Sequence, residues 1–176
     1  MSRCTPPWGV AAVVVALACG PQQGPTTAPS GAASPASTLP PSRHDTGALL
    51  EGNVPLAQGG VLPLVELRGK LVVVEVVDAA HRDDAVESDY AALQRELGER
   101  LVVVLVSLDH DGWQDQSPPF VLGWDPQGAF AARLQAASLP TVLLLDPQGR
   151  IVQQYAGART PGHRELVAAV HAHAAG

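Results

Sequence analysis

The stretch "VVVEVVDAAHRDDAVESDYAALQ", residues 72–94, holds an apolar strand, a short break and an amphipathic helix. Val72 to Val77 is β-branched throughout except at Glu75, the pattern of a strand covered on both faces. Val86, Tyr90, Leu93 and Leu97 follow at steps of four, three and four, which make one stripe of a helix. The junction reads His81-Arg82-Asp83-Asp84. A helix N-terminus carries free N–H groups and partial positive charge, so chemistry is often found at such a junction.

Working outward, two more continuous apolar runs match the first: "LVVVLVS" at 101–107 and "TVLLLD" at 141–146. Strand, helix and strand at this spacing predict a right-handed parallel crossover. "GAFAARLQAA", 128–137, predicts a short helix with Phe130 and Leu134 on one face. "DPQG" at 146–149 suits a tight turn into an antiparallel strand, "RIVQQYAG". The same tetrapeptide, Asp125 to Gly128, closes an earlier strand, "PFVLGW", as convergent turn chemistry rather than a repeat. A last helix over roughly His163 to Ala174 presents Leu166, Val167 and Val170. Upstream, "NVPLAQGGVLPLVEL" predicts a small hairpin turning at Gly59-Gly60. The order is βαβ followed by αββα, an α/β fold with a mixed central sheet flanked by helices.

A chain of 176 residues accommodates one such domain, here 46–174, with attachments. With 46% hydrophobic and 16% charged residues it has enough apolar material for a proper core. The formal charge of −6, offset by no basic patch, argues against a nucleic-acid partner.

Residues 1–18 read as a signal peptide. One positive charge at Arg3 precedes an apolar run of eleven residues, Trp8 to Ala18, too short to cross a bilayer. "ALAC" at 16–19 resembles the bacterial lipobox, which implies cleavage before Cys19, lipidation of that cysteine and a membrane anchor; a plain signal peptide with Cys19 incidental is the alternative. Gly20 after the cysteine is similar to the outer-membrane sorting pattern, with the domain facing the periplasm. Pro, Ser, Thr, Ala and Gly dominate from there to Asp45, with no apolar period, so 19–45 reads as a tether. A flexible segment of this length reaches roughly 30 Å.

Cys4 and Cys19 are the chain's two cysteines, so the predicted domain contains no thiol. Here a resemblance matters. "LRGKLVVV" (Leu67 to Val74), "VVVLVSLDHD" and "SLPTVLLLDPQGRIV" (Ser138 to Val152), in this order, are similar to the thioredoxin-like, TlpA-type redoxin proteins of the bacterial envelope, over nearly all of residues 49–172. The resemblance implies a thioredoxin-like fold and a cis proline at Pro140. It places the first cysteine of the family's W-C-x-x-C on His81, the second on Asp84 and the tryptophan on Ala80. Thiol–disulfide exchange needs a thiolate to attack sulfur, and neither imidazole nor carboxylate does this. A redox-inactive relative is therefore expected, with no cofactor.

Two functions stay open. In the first, the chain is a binding module that takes an envelope polypeptide or protein partner at the Pro140 face, through Leu139, Pro140 and Thr141 with His81 and Arg82 opposite. Main-chain pairing beside such a proline needs no sulfur; alternatively, the proline serves only the turn. In the second, His81 works with Asp83, Asp84 or Glu75 in acid–base or metal-assisted catalysis. A structural account competes with it: Asp83 or Asp84 caps the helix, Asp84 and Glu87 approximate a capping box, and His81 and Arg82 are solvated. No metal site is expected. His171 and His173 point to different faces, His44 lies in the tether and His110 in a loop. Glu75, mid-strand among valines, is expected to be buried, with a raised pKa or an ion pair to His81, Arg82 or Lys70, or to be a relic of the proton-transfer acid of thioredoxins.

Overall fold

The three β-branched runs form the centre of one sheet. The computed structural model describes residues 44–109, 113, 119–157 and 159–175, the last span without the side chains of 159–161. The signal peptide, Cys19, nearly all of the tether and His110 lie outside the described residues.

A two-stranded hairpin, β1 (Asn53–Pro55) and β2 (Val61–Pro63), comes first. Gly59 and Gly60, at φ of 93° and 85°, make its reversal in a region that side chains disfavour. Then follow β3 (Leu71–Val77), α1 (Asp84–Leu97), β4 (Leu101–Ser107), β5 (Val121–Trp124), α2 (Ala129–Arg133), β6 (Thr141–Leu145), β7 (Ile151–Ala156) and α3 (Arg159–Ala174). The five-stranded sheet has the order β5-β4-β3-β6-β7. β3 pairs in parallel with β4 and β4 with β5, whereas β3–β6 and β6–β7 are antiparallel. The mixed sheet expected from the element order is present.

Both faces of the sheet are covered, which is why its central strands do not alternate. Val73, Val103, Leu105 and Leu144 pack with Tyr90 and Leu93 of α1 and Leu166 and Val170 of α3. On the other face Val74, Val104 and Leu143 pack with Val54 of the hairpin and Phe130 and Leu134 beside α2. Fully burying one such side chain contributes about 1.5–3 kcal/mol. At Gly123 an added Cβ would lie 2.9 Å from the Pro55 carbonyl oxygen and from Val106 Cγ2. Only glycine lets the hairpin approach β5 so closely and cover that sheet edge, where Leu56 bridges Gly123.

The two D-P-Q-G turns use their aspartates alike. Asp125 and Asp146 each accept a main-chain bond from the glycine three residues on. Asp146 Oδ1 also takes the N–H groups of Gln148 and Arg150, and the buried Asp125 takes those of Ala129 and Ala131. Two elements differ in extent from the sequence expectation. α2 stops at Arg133 because Gln135 turns left-handed (φ 50°) and Ala136 N–H reaches back to the Ala131 carbonyl, a Schellman ending. α3 begins four residues before His163; Pro161 falls in its first turn, where a missing N–H costs no bond. None of the described helices is long and apolar enough to cross a membrane.

Candidate functional site

The register of the sheet sets the site. Val76 of β3 lies opposite Thr141 of β6, so the chain leaving β3 and the chain entering β6 meet at one end of the sheet. From β3 the backbone passes through a 3₁₀ turn, Ala79–His81, before α1. The Leu139–Pro140 bond that leads into β6 is cis. The strand order thus brings the His81–Asp84 junction and the Leu139–Thr141 segment to the same end.

At the junction Asp78 does most of the organising. Its Oδ1 accepts the His81 main-chain N–H at 2.9 Å and lies 2.6 Å from His81 Nδ1. Partial burial works to raise the Asp78 pKa, but is outweighed by the His81 side-chain and backbone hydrogen bonds, the charge of His81 and the Ala80 N–H; the net shift is downward. An ionised carboxylate only accepts, so Nδ1 carries the proton and Nε2 is left with its lone pair when the ring is neutral. The Ala79 N–H is taken by Asp109 at the end of β4. Because the folded state holds Asp78 below its ordinary range, its contribution to stability is present above the unfolded value and is lost as pH falls through the folded one. Asp78→Asn is accordingly expected to destabilise the protein at pH 7, and the difference should shrink as pH drops below about 4. Urea titrations at both ends of that range check it; an equal penalty at both would contradict the linkage.

The partners differ from several sequence expectations. His81 is held by Asp78, not by Asp83, Asp84 or Glu75. The signal was present: an aspartate three residues before a turn N–H is a capping spacing. Asp83 is the N-cap of α1, its carboxylate accepting the Ala85 N–H, and Asp84 is the exposed first helical residue. The capping-box register is therefore off by one, and Glu87 turns instead to Arg82. Arg82 is not a solvated residue. Its Nε and Nη2 reach Glu87 Oε1 at 3.1 and 3.0 Å, the two side chains are only 19% and 16% exposed, and the guanidinium stands 4.8 Å over the Trp113 ring. Trp113 Nε1–H donates to the Gly123 carbonyl, which ties the loop before β5 to this arginine.

Glu75 is buried on the α1 side of β3, where Tyr90 donates its hydroxyl to Oε2 at 2.7 Å. Tyr90 is legible as a stripe residue of the helix, but nothing in a linear pattern joins position 75 to position 90. Arg82 lines a small pocket with Glu75, together with Val77, Asp83, Glu87 and Leu105. Lys70 precedes β3, five residues from Glu75 along an extended chain, or roughly 16 Å at the strand rise. That separation removes it as a partner.

Across the site, Thr141 is 0% exposed and donates its hydroxyl to the Ser138 carbonyl at 2.6 Å. It is paired on both sides, with Val76 and Ala156, so it supports the segment from within and is not a contact residue. Pro140 is buried and its carbonyl accepts the Gly157 N–H. Half-buried Leu139 is different: neither its N–H nor its carbonyl bonds to another described residue. Between Pro140, Val86 of α1, Val142 and the end of β7 lies an apolar cleft, with Glu75 and Tyr90 at its floor and His163 and Tyr155 on its walls. Burial raises the Tyr155 pKa, with the nearby Glu165 carboxylate adding to it. His163 Nε2 lies 3.0 Å from Asp89 and its ring meets Tyr90 edge-on. Among the described residues, no three His, Cys, Asp or Glu side chains are grouped so as to hold a metal ion.

No protein-family model matches the chain, and neither does any curated protein sequence. Solved structures do. A protein assigned as the thiol:disulfide interchange protein DsbE of Chlorobium tepidum superposes with a TM-score of 0.62 at 20% identity, over 75% of this chain and 99% of that one. The bacterioferritin comigratory protein of Xanthomonas campestris gives 0.59 at 19% identity, over 73% and 99%. The exposed lipoprotein thioredoxin Etrx1 of Streptococcus pneumoniae gives 0.55 at 17% identity, over 70% and 99%. Identities this low bear on fold and not on activity. Sheet order, the cis Leu139–Pro140 bond and these superpositions together make the described domain a thioredoxin-like fold.

Proposed function

We propose that this chain is a redox-inactive thioredoxin-fold lipoprotein of the bacterial envelope that binds a polypeptide at its cis-proline face. One observation carries it: Leu139 offers an N–H and a carbonyl that no described residue satisfies, beside a buried Pro140 and an apolar cleft. A main-chain donor and acceptor on one residue are what an added strand pairs with. Sulfur is not needed for that pairing, and the chain's cysteines, Cys4 and Cys19, both precede the domain. Lipidation at Cys19 would tether the domain to a membrane through residues 20–45, and the sorting pattern favours the outer membrane, facing the periplasm.

A second function has one observation in its favour. The Asp78–His81 pair leaves Nε2 of a half-exposed ring as a base for acid–base chemistry, an enzyme built on His81. His81→Ala separates the two: it abolishes such an activity and leaves polypeptide binding nearly unchanged. Insulin reduction with a dithiol as electron donor tests the redox claim, and no acceleration over the uncatalysed rate is expected. Measurable turnover would overturn it. Binding is checked by titrating a cysteine-free unfolded polypeptide into the protein and following the amide resonances of Leu139 and Gly157. No shift at either would count against the assignment.

A further inference from the structure

The cleft beside Pro140 has a shape and a charge environment that narrow its occupant. Its enclosed volume is only about 20 Å³, little more than a water molecule needs, so it seats the tip of one small side chain rather than a cofactor. Val86, Pro140, Val142 and Ala156 make its walls apolar, and Gly157, with no side chain, keeps one wall low. At the floor the Glu75 carboxylate holds the Tyr90 hydroxyl. A charged or polar side chain entering there would lose its water against apolar walls.

On the β3–α1 side of the cleft the charge is one-sided, whereas α3 carries both Arg164 and Glu165. From Glu75 to Tyr90 the chain carries six carboxylates, Glu75, Asp78, Asp83, Asp84, Glu87 and Asp89, against one guanidinium, Arg82. That guanidinium lies between Glu87 and the Trp113 ring. His163, which lines the cleft, sits against Asp89, and His81 at the junction sits against Asp78. Glu165 of α3 is near enough to Tyr155 to oppose its ionisation. Asp84 is exposed, and the Asp89 side chain is 62% exposed. A second copy of this chain, itself at −6, or an anionic lipid surface would be repelled here.

We propose that the site receives a cationic extended segment of a partner polypeptide, with one small aliphatic side chain in the cleft and lysines or arginines on either side facing Asp84, Asp89 and Asp78. This rests on the polypeptide-binding assignment for Leu139 and adds what the polypeptide must look like. The aliphatic side chain supplies the apolar burial, while the flanking cations supply orientation and a fast, salt-sensitive encounter.

Three fluorescent octapeptides of equal length test it on the full chain by anisotropy: valine flanked by lysines, valine flanked by glutamates, and serine flanked by lysines. The lysine–valine peptide is expected to bind at least about tenfold tighter than the glutamate–valine one, and to weaken as salt rises from 50 to 200 mM, since these charges are exposed. Serine in place of valine should cost about tenfold, the order of a lost aliphatic contact of a few CH groups. Ala156→Trp, at the exposed last residue of β7, should block the cleft, and Asp84→Lys should remove the preference for lysine; far-UV circular dichroism checks that both variants fold. Equal binding of the lysine and glutamate peptides, lost on Ala156→Trp, would overturn the cationic partner and leave the polypeptide site standing. Binding by none of the three, at concentrations where an unfolded polypeptide also fails to shift Leu139, would overturn both.

Discussion

Replacing Tyr90 by alanine is expected to lower the free energy of unfolding by about 3–5 kcal/mol, the usual cost of deleting a buried aromatic ring. Tyr90 is 1% exposed and meets both Phe120 and His163 edge-on, so its loss opens a void between α1, α3 and the sheet. Tyr90→Phe separates packing from hydrogen bonding. It keeps the ring but takes the hydroxyl from Glu75 Oε2, and removing one partner of a buried polar group costs about 1–3 kcal/mol. Urea unfolding of wild type and the two variants checks both values. If Tyr90→Phe were as stable as wild type, the bond to Glu75 would contribute nothing.

Arg82→Ala should cost about 2–3 kcal/mol, combining a charge-assisted bond to Glu87 with a cation–π contact. The surface-salt-bridge discount applies only weakly, since both side chains are less than a fifth exposed. The guanidinium joins the N-terminal turn of α1 to Trp113, and Trp113 in turn bonds to Gly123 of β5. Arg82→Ala is therefore expected to alter the emission of Trp113 as well as the stability. The same substitution in a Trp113→Phe background, where Trp124 remains in the domain, should leave the emission unchanged and cost less. Emission that stays the same in both backgrounds would mean that the arginine does not hold the indole. Glu87→Gln keeps a neutral acceptor and should lose only part of the energy.

These two residues mark where linear reading stops. The stripe Val86, Tyr90, Leu93 and Leu97 is legible because an amphipathic helix repeats at short range, and all four are buried. The runs at 71–77, 101–107 and 141–145 are legible because strands covered on both faces lose their alternation. Asp83 and Asp84 are legible as an N-terminal signal, yet the cap is Asp83 alone, and the one-residue choice frees Glu87 for Arg82. Thr141 reads as a contact residue by its place after Pro140, whereas the pairing of β6 on both edges turns it inward.

Composition and periodicity alone determine that this chain makes a strand–helix–strand crossover followed by an antiparallel pair, and that its domain is without sulfur, because those properties depend on residue types and short repeats. Which groups meet at the site depended on the tertiary structure. Tyr90 reaches Glu75, Arg82 reaches Trp113, and Val76 draws Thr141 alongside, through separations of 15, 31 and 65 residues. Contacts over such distances follow from how the helix and strands pack together in space, and no local pattern in the chain encodes them.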